Sequence, residues 1–350
     1  MSRMEAVRKL LYPRSLAVIG ASNHKNKSGG RLMDYLTKHK SLHSIYPVNP
    51  KEETVFGKPC YQSVKQLPDH IDLALVVLPG RKILKVVEEC AAKGINVLAV
   101  YSSGFAEMGG EGVELQQKLL ERAKELGVYI CGPNMIGVVN ANQRFFGSFS
   151  MAMETPNIPR SGKIAFVSQS GAIGGGILSK LWSEGIGISH FISSGNEADL
   201  DTADYLSFLA EDEQTEIICV YLEGVKDGRK LIDSLQKANY NRKPVIIYKN
   251  GRTSIGQKSV QSHTGSLAGN YQVYETVFKQ YGAIYVDVLE DMFEVAKGFL
   301  SIKNLHGKNV AVISTSGGAC TIIADNCLQA WTAAPRFLQK HEGLFKASNS

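Results

Sequence analysis

The 350-residue chain is short of most features that mark a special environment, and each shortage narrows the choice. No apolar run approaches the roughly 18 residues needed to span a bilayer, and even Leu73–Leu78 is bounded by Asp72 and Pro79. The opening MSRMEAVRKLLYPRS carries basic residues but no apolar signal core before Pro13. A soluble, non-secreted, cytoplasmic protein with no membrane association is expected. The six cysteines form no CxxC pair and lie mostly within or beside apolar runs. They read as free thiols in a reducing compartment, with no metal centre among the expectations. Lys and Arg exceed Asp and Glu by 39 to 33, for a net charge of +6, but no basic run with interleaved aromatics occurs. Nucleic acid is not indicated, and a small polyanionic ligand accounts for the charge. What remains is 44% apolar and 21% charged, an ordinary globular composition at a length that suits about two domains of roughly 150 residues.

Short β-branched runs alternate with longer amphipathic segments, the pattern of βα units feeding a parallel sheet. Strands are expected at 16–19, 45–48, 73–78, 97–101 and 129–131, with helices at 31–40, 82–93 and 111–126. The last two helices end at Gly94 and Gly127, suited to left-handed caps. Between Asn140 and Gly162 the periodicity fades, and a connection between domains is expected there. A second series follows, with strands at 163–167, 188–192, 217–222, 245–248 and 283–286. Helices are expected between them at 173–184, 202–210, 228–238 and 271–281. The expected fold is α/β, two doubly wound parallel sheets in tandem. A third unit opens with the strand VAVIS and a Ser-Gly-Gly turn into a helix, but no second strand follows for it to pair with.

The first strand runs into Gly20, Ala21 and Ser22, then a polar loop, then Gly29 and Gly30 at a helix start. Such a turn brings backbone amides close to a phosphate, although a glycine-rich turn without a ligand has the same sequence. It is not the GxGxxG fingerprint, and the second strand ends in Asn49, Pro50 and Lys51, a cation where NAD would call for a carboxylate. A ligand with an additional phosphate is favoured. GRTSIGQKS, 251–259, has one residue too many before Lys258 for a Walker A loop. Two further strand, small-residue turn, helix arrangements occur at Gln169-Ser170-Gly171 and at Ser316-Gly317-Gly318. The candidate nucleophile is His263, in the loop QSHTGSLAGN. A neutral imidazole can carry phosphate if a carboxylate fixes its other nitrogen. Glu223, directly after the strand IICVYL, could be that carboxylate or an ordinary residue opening a loop.

Taken in order, VIGAS, YPVNPK, DLALVVLPG, SSGFAEMGGEG, CGPNMIGVVN, SQSGA, SSGNEADLD, YLEGVKDGR and SHTGSLAGN resemble the ADP-forming (NDP-forming) acetyl- and acyl-CoA synthetases. More distantly, they are similar to the succinyl-CoA synthetase alpha subunit. The resemblance covers roughly residues 8–326. It implies a CoA-binding Rossmann-like domain at 1–145, a flavodoxin-like ligase domain at 158–302 and a partial third ligase domain at 305–350. It places Gly20, Ser22, Lys27 and Gly29 near the CoA phosphates, Asn49, Pro50 and Lys51 beside the nucleotide portion, and Pro79 and Ser103 along the same groove. His263 falls on the phosphorylated histidine and Glu223 on the glutamate that orients it. Ser168, Ser170 and Gly171 fall on one phosphate-binding helix start, and Ser316, Gly317 and Gly318 on another. From about Leu328 the C-terminus departs from the family pattern, and the chain carries no ATP-grasp domain. The resemblance therefore implies a hetero-oligomer in which an ATP-grasp beta subunit handles Mg-ADP/ATP and this chain handles CoA and the small acyl substrate. The alternatives are a non-catalytic CoA-sensing or scaffold protein and, disfavoured by Lys51, a nicotinamide oxidoreductase.

Overall fold

Five strands that are apolar on both faces, Ser15–Ile19, Ser44–Val48, Leu73–Val76, Val97–Val100 and Tyr129–Cys131, pair in parallel with the second outermost, then the first, third, fourth and fifth. This is the 2-1-3-4-5 order of a doubly wound sheet. A computed structural model provides this description for residues 1–39, 44–154, 160–257, 271–301 and 310–332. The second sheet repeats the order with Ser161–Ser168, Ile188–Ser193, Ile217–Leu222, Val245–Lys249 and Ile284–Val286. Both sheets expected from the sequence are thus present. Gly94 and Gly127 sit at positive φ and close the helices Ile83–Ala92 and Glu111–Glu125, with Ile95 and Val128 donating back to Cys90 and Ala123.

Three differences from the sequence reading have physical causes. The connection expected after Asn140 contains a hairpin instead. Gly137–Asn140 pairs antiparallel with the 188–193 strand, and Phe145–Ser148 pairs with Gly137–Asn140. Both strands are buried throughout, so no polar alternation betrays them. VAVIS forms no strand: 310–314 is irregular, and a lone strand has no ladder to join. Two helices, Arg3–Leu11 and Asp291–Ser301, were not anticipated.

Residues 1–301 form one compact unit with apolar layers on and between its sheets. One layer joins Leu10, Leu75 and Val97 to Tyr205, Leu206 and Val220; a second, built on Val87, Cys90 and Leu119, covers the first sheet, and a third, built on Phe166, Phe191 and Phe293, covers the second. The 302–350 unit contributes the helix Gly317–Thr332.

Candidate functional site

In a 2-1-3-4-5 sheet, the connections that follow the first and third strands run in opposite directions, which opens a crevice between the carboxyl ends of those two strands. In the first sheet those ends are Gly20 and Val77-Leu78-Pro79. A Cβ on Gly20 would lie 2.3 Å from the Val77 carbonyl oxygen, one on Gly29 2.1 Å from that of Gly20, and one on Gly30 2.0 Å from that of His24. The three glycines let the turn fold back on itself. The helix Ser28–Lys38 starts there with Lys27 at its N-cap, no side-chain cap and no acidic residue in its first turn. Lys27 and Lys51 are exposed at this edge. Asn49 is a brace, its amide donating to the Ala21 carbonyl at 2.7 Å and its oxygen accepting from the Lys51 N–H at 2.9 Å. The Ser22 hydroxyl accepts from the His24 N–H at 3.1 Å and is buried. Pro50, Pro79 and Ser103 complete the same edge and are exposed. The geometry therefore gathers all nine residues expected in the first domain along the carboxyl end of one sheet, with positive charge and a helix N-terminus at its centre.

The equivalent crevice in the second sheet lies between Ser168-Gln169-Ser170 and Glu223. The Ser170 hydroxyl caps the helix Gly171–Ser183 by accepting from Ile173, and Ser168, buried, donates to the Ser170 carbonyl at 2.7 Å. A Cβ on Gly171 would meet Ile136 at 2.7 Å. No acidic residue stands in the first turn of this helix, so its positive end faces the crevice uncompensated. Gln169 spans the gap as an added piece of ladder. Its oxygen accepts from the Glu223 and Gly224 N–H groups, the second at 2.9 Å, and its amide donates to the Gly224 carbonyl at 2.9 Å. Glu223 is buried.

Three further residues have structural roles here that the sequence reading did not assign. Gln169 is one. Glu197, buried at left-handed φ, accepts from the Thr202 N–H at 3.1 Å, and burial pushes its carboxyl up in pKa against the pull of Thr202, Ser194 and Gln169. Lys249 closes the 245–249 strand with its side chain inside the protein. A lysine ending an apolar run was the visible signal. The neighbouring Asn196 donates to Glu107 and to Gln116 and accepts from Asn134 at 3.2 Å, tying this loop to the first-domain segment beyond Ser103. His263 lies in 258–270, outside the described residues. Ser316, Gly317 and Gly318 belong to the other unit, where the Ser316 hydroxyl accepts from Ala319 at the start of helix Gly317–Thr332. Among the described residues, no group of three or more His, Cys, Asp or Glu side chains could hold a metal ion, and no helix is long and apolar enough to cross a membrane.

A family model described as a CoA binding domain matches residues 14–141, and one described as a succinyl-CoA ligase like flavodoxin domain matches residues 161–299. The chain is similar to acetate–CoA ligase [ADP-forming] I of Archaeoglobus fulgidus, with 41% identity over 324 residues, 92% of this chain and 45% of that protein. It is similar to the alpha subunit of acetate–CoA ligase [ADP-forming] I of Pyrococcus furiosus, with 39% identity over 320 residues, 90% of this chain and 68% of that subunit. Its fold matches the dinucleotide forming acetyl-coenzyme A synthetase 1 of Ca. Korarchaeum cryptofilum solved with phosphate and ADP, at TM-score 0.85 and 34% identity, covering 95% of this chain and 74% of that one. The chain spans less than half the length of the Archaeoglobus relative.

Proposed function

The chain belongs to the ADP-forming acetate–CoA ligase family, and from that premise we propose that it is the CoA-handling subunit of an acid-thiol ligase. The reaction is acyl-CoA, ADP and phosphate to acid, CoA and ATP. The acyl substrate is acetate or another small carboxylic acid. The observation that carries the reading is the crevice of the second sheet, where a helix N-terminus with no acidic residue in its first turn and the buried Glu223 lie at two strand ends bridged by Gln169.

Phosphate first displaces CoA from the acyl group, giving acyl phosphate and free CoA. The neutral His263 imidazole then attacks phosphorus; the bond from phosphorus to the carboxylate oxygen breaks, the acid leaves, and the phosphoryl group rests on the ring nitrogen. Glu223 accepts the N–H of the other ring nitrogen and stabilises the charge that develops there. The helix opening at Gly171 stabilises the phosphoryl oxygens during this transfer. Transfer to ADP restores neutral His263. The first sheet's edge fits CoA, because a turn closed by Gly20, Gly29 and Gly30 leaves Lys27, Lys51 and a helix N-terminus beside the space a phosphate needs.

The Mg-nucleotide is assigned to an ATP-grasp beta subunit, giving a cytoplasmic hetero-oligomer. Purification with that partner, followed by ATP-formation assays with and without it, tests the proposal. ATP formation restored by the partner supports it. CoA binding with no ATP formation in the reconstituted complex would favour a non-catalytic CoA-binding role, and full ATP formation by the isolated chain would remove the need for a partner.

A further inference from the structure

Burying an ammonium group is costly unless each of its protons finds a partner, and a methionine would fill the same space without that cost. Lys249 is 1% exposed, at the carboxyl end of the strand paired with Ile217–Leu222, and its register partner is Leu222. Its Nζ donates to the main-chain carbonyl of Glu223 at 2.8 Å and to that of Asn250, and it stands 4.8 Å from the centre of the Tyr274 ring. The charge is therefore spent on the peptide that carries Glu223. On the other side of that peptide, Gln169 holds the Glu223 and Gly224 N–H groups. Between them the two side chains grip both polar faces of the segment.

We propose that Lys249 is a positioning residue for phosphoryl transfer: its buried ammonium fixes the Glu223 main chain and so holds the Glu223 side chain in place for His263. The inference rests on the roles proposed above for Glu223 and His263. The groups facing Lys249 are Glu223, directly after the neighbouring strand, and Tyr274 from the helix Tyr271–Gln280. Beside Glu223 stands Tyr221, which accepts from the Asn250 amide and stacks on Tyr248. Burial pushes the Lys249 amine down to about 8, with Glu223 pulling it back up. The ammonium is thus present at neutral pH and lost in mildly alkaline solution.

The test is the initial rate of His263 phosphorylation in the complex with its nucleotide-binding partner. ATP is the donor and CoA is left out, so the CoA thiol does not titrate in the assay. Rates are measured from pH 6 to pH 10 for wild type and Lys249→Met. The wild type should slow as pH rises through about 8. The variant should label at least tenfold more slowly at neutral pH, with no alkaline limb and with CoA binding by calorimetry unchanged. Lys249→Met labelling at the wild-type rate, while wild-type His263 is phosphorylated, overturns this inference and leaves the phosphohistidine reading intact. Wild type with no phosphohistidine at any pH overturns both. If the variant does not fold, the wild-type profile decides, and a rate flat to pH 10 rejects the role of the ammonium.

Discussion

Replacing Gln169 with leucine removes the side chain that bridges the carboxyl ends of the first and third parallel strands of the second sheet. Three hydrogen bonds disappear together, from the Glu223 and Gly224 N–H groups and to the Gly224 carbonyl. Leucine has nearly the same volume, so the change is one of polarity. Glu223 and Gly224 are both buried. A buried polar group stripped of its partner costs about 1–3 kcal/mol, against about 0.5–1.5 kcal/mol for a bond that water can replace. If one of the three groups reaches water and two do not, Gln169→Leu should lower unfolding stability by about 2.5 kcal/mol or more. Urea unfolding of the full chain, followed by tryptophan fluorescence, measures it, since Trp182 lies on the helix that starts beside Gln169. The same variant should slow His263 phosphorylation even where it is fully folded, because the Glu223 peptide loses its clamp. A stability loss under about 0.5 kcal/mol, with labelling unchanged, would refute the account of Gln169 as the bridge across the crevice.

Lys51→Ala should weaken CoA binding by about 1–3 kcal/mol, the range for a hydrogen bond to a charged group left unmade; calorimetry on the full chain reads it, and NAD should give no heat. His190 is fully buried beside Asp212, and burial pushes its imidazole down to about 4. The unfolded chain takes up that proton near pH 6.5, so the stability due to neutral His190 is complete above about 6.5 and is lost as pH falls towards 4. The urea midpoint should drop between pH 7 and pH 4.5, with His190 contributing up to about 3 kcal/mol. His190→Gln should reduce this dependence; an equal pH response in both proteins would contradict the assignment.

The sheets were legible because a buried parallel strand is a short apolar run whatever surrounds it, as in LALV and IICVYL. The placement of Gly20, Gly29 and Lys51 along one sheet edge was legible for a related reason: they lie next to strand ends, where ligands of this architecture bind. The helix Arg3–Leu11 could have been read, since Ser2 and Glu5 form its capping box. Its Arg3 could not have been placed. That side chain pairs with Asp199 at 2.9 Å and Asp204 at 2.8 Å, about 200 positions along the chain. The buried charges Glu197 and Lys249 escaped assignment for the same reason. Gln169, Tyr274 and the Glu223 carbonyl meet them only once the sheet has assembled. The hairpin 137–148 was hidden because burial on both faces erases the alternation that marks a half-exposed strand.

The central claim is that phosphate passes through His263. The complex is given acyl-CoA and phosphate, or ATP through the partner, and the peptide containing Ser262-His263-Thr264 is analysed by mass spectrometry for acid-labile, base-stable phosphate. The account predicts the modification on His263 in wild type and slower incorporation in Glu223→Gln, which keeps a hydrogen-bonding group but removes the charge. In His263→Asn it predicts no incorporation and no acyl-CoA synthesis, with CoA still bound. Wild-type turnover without phosphate on that peptide, or an active His263→Asn protein, would contradict it.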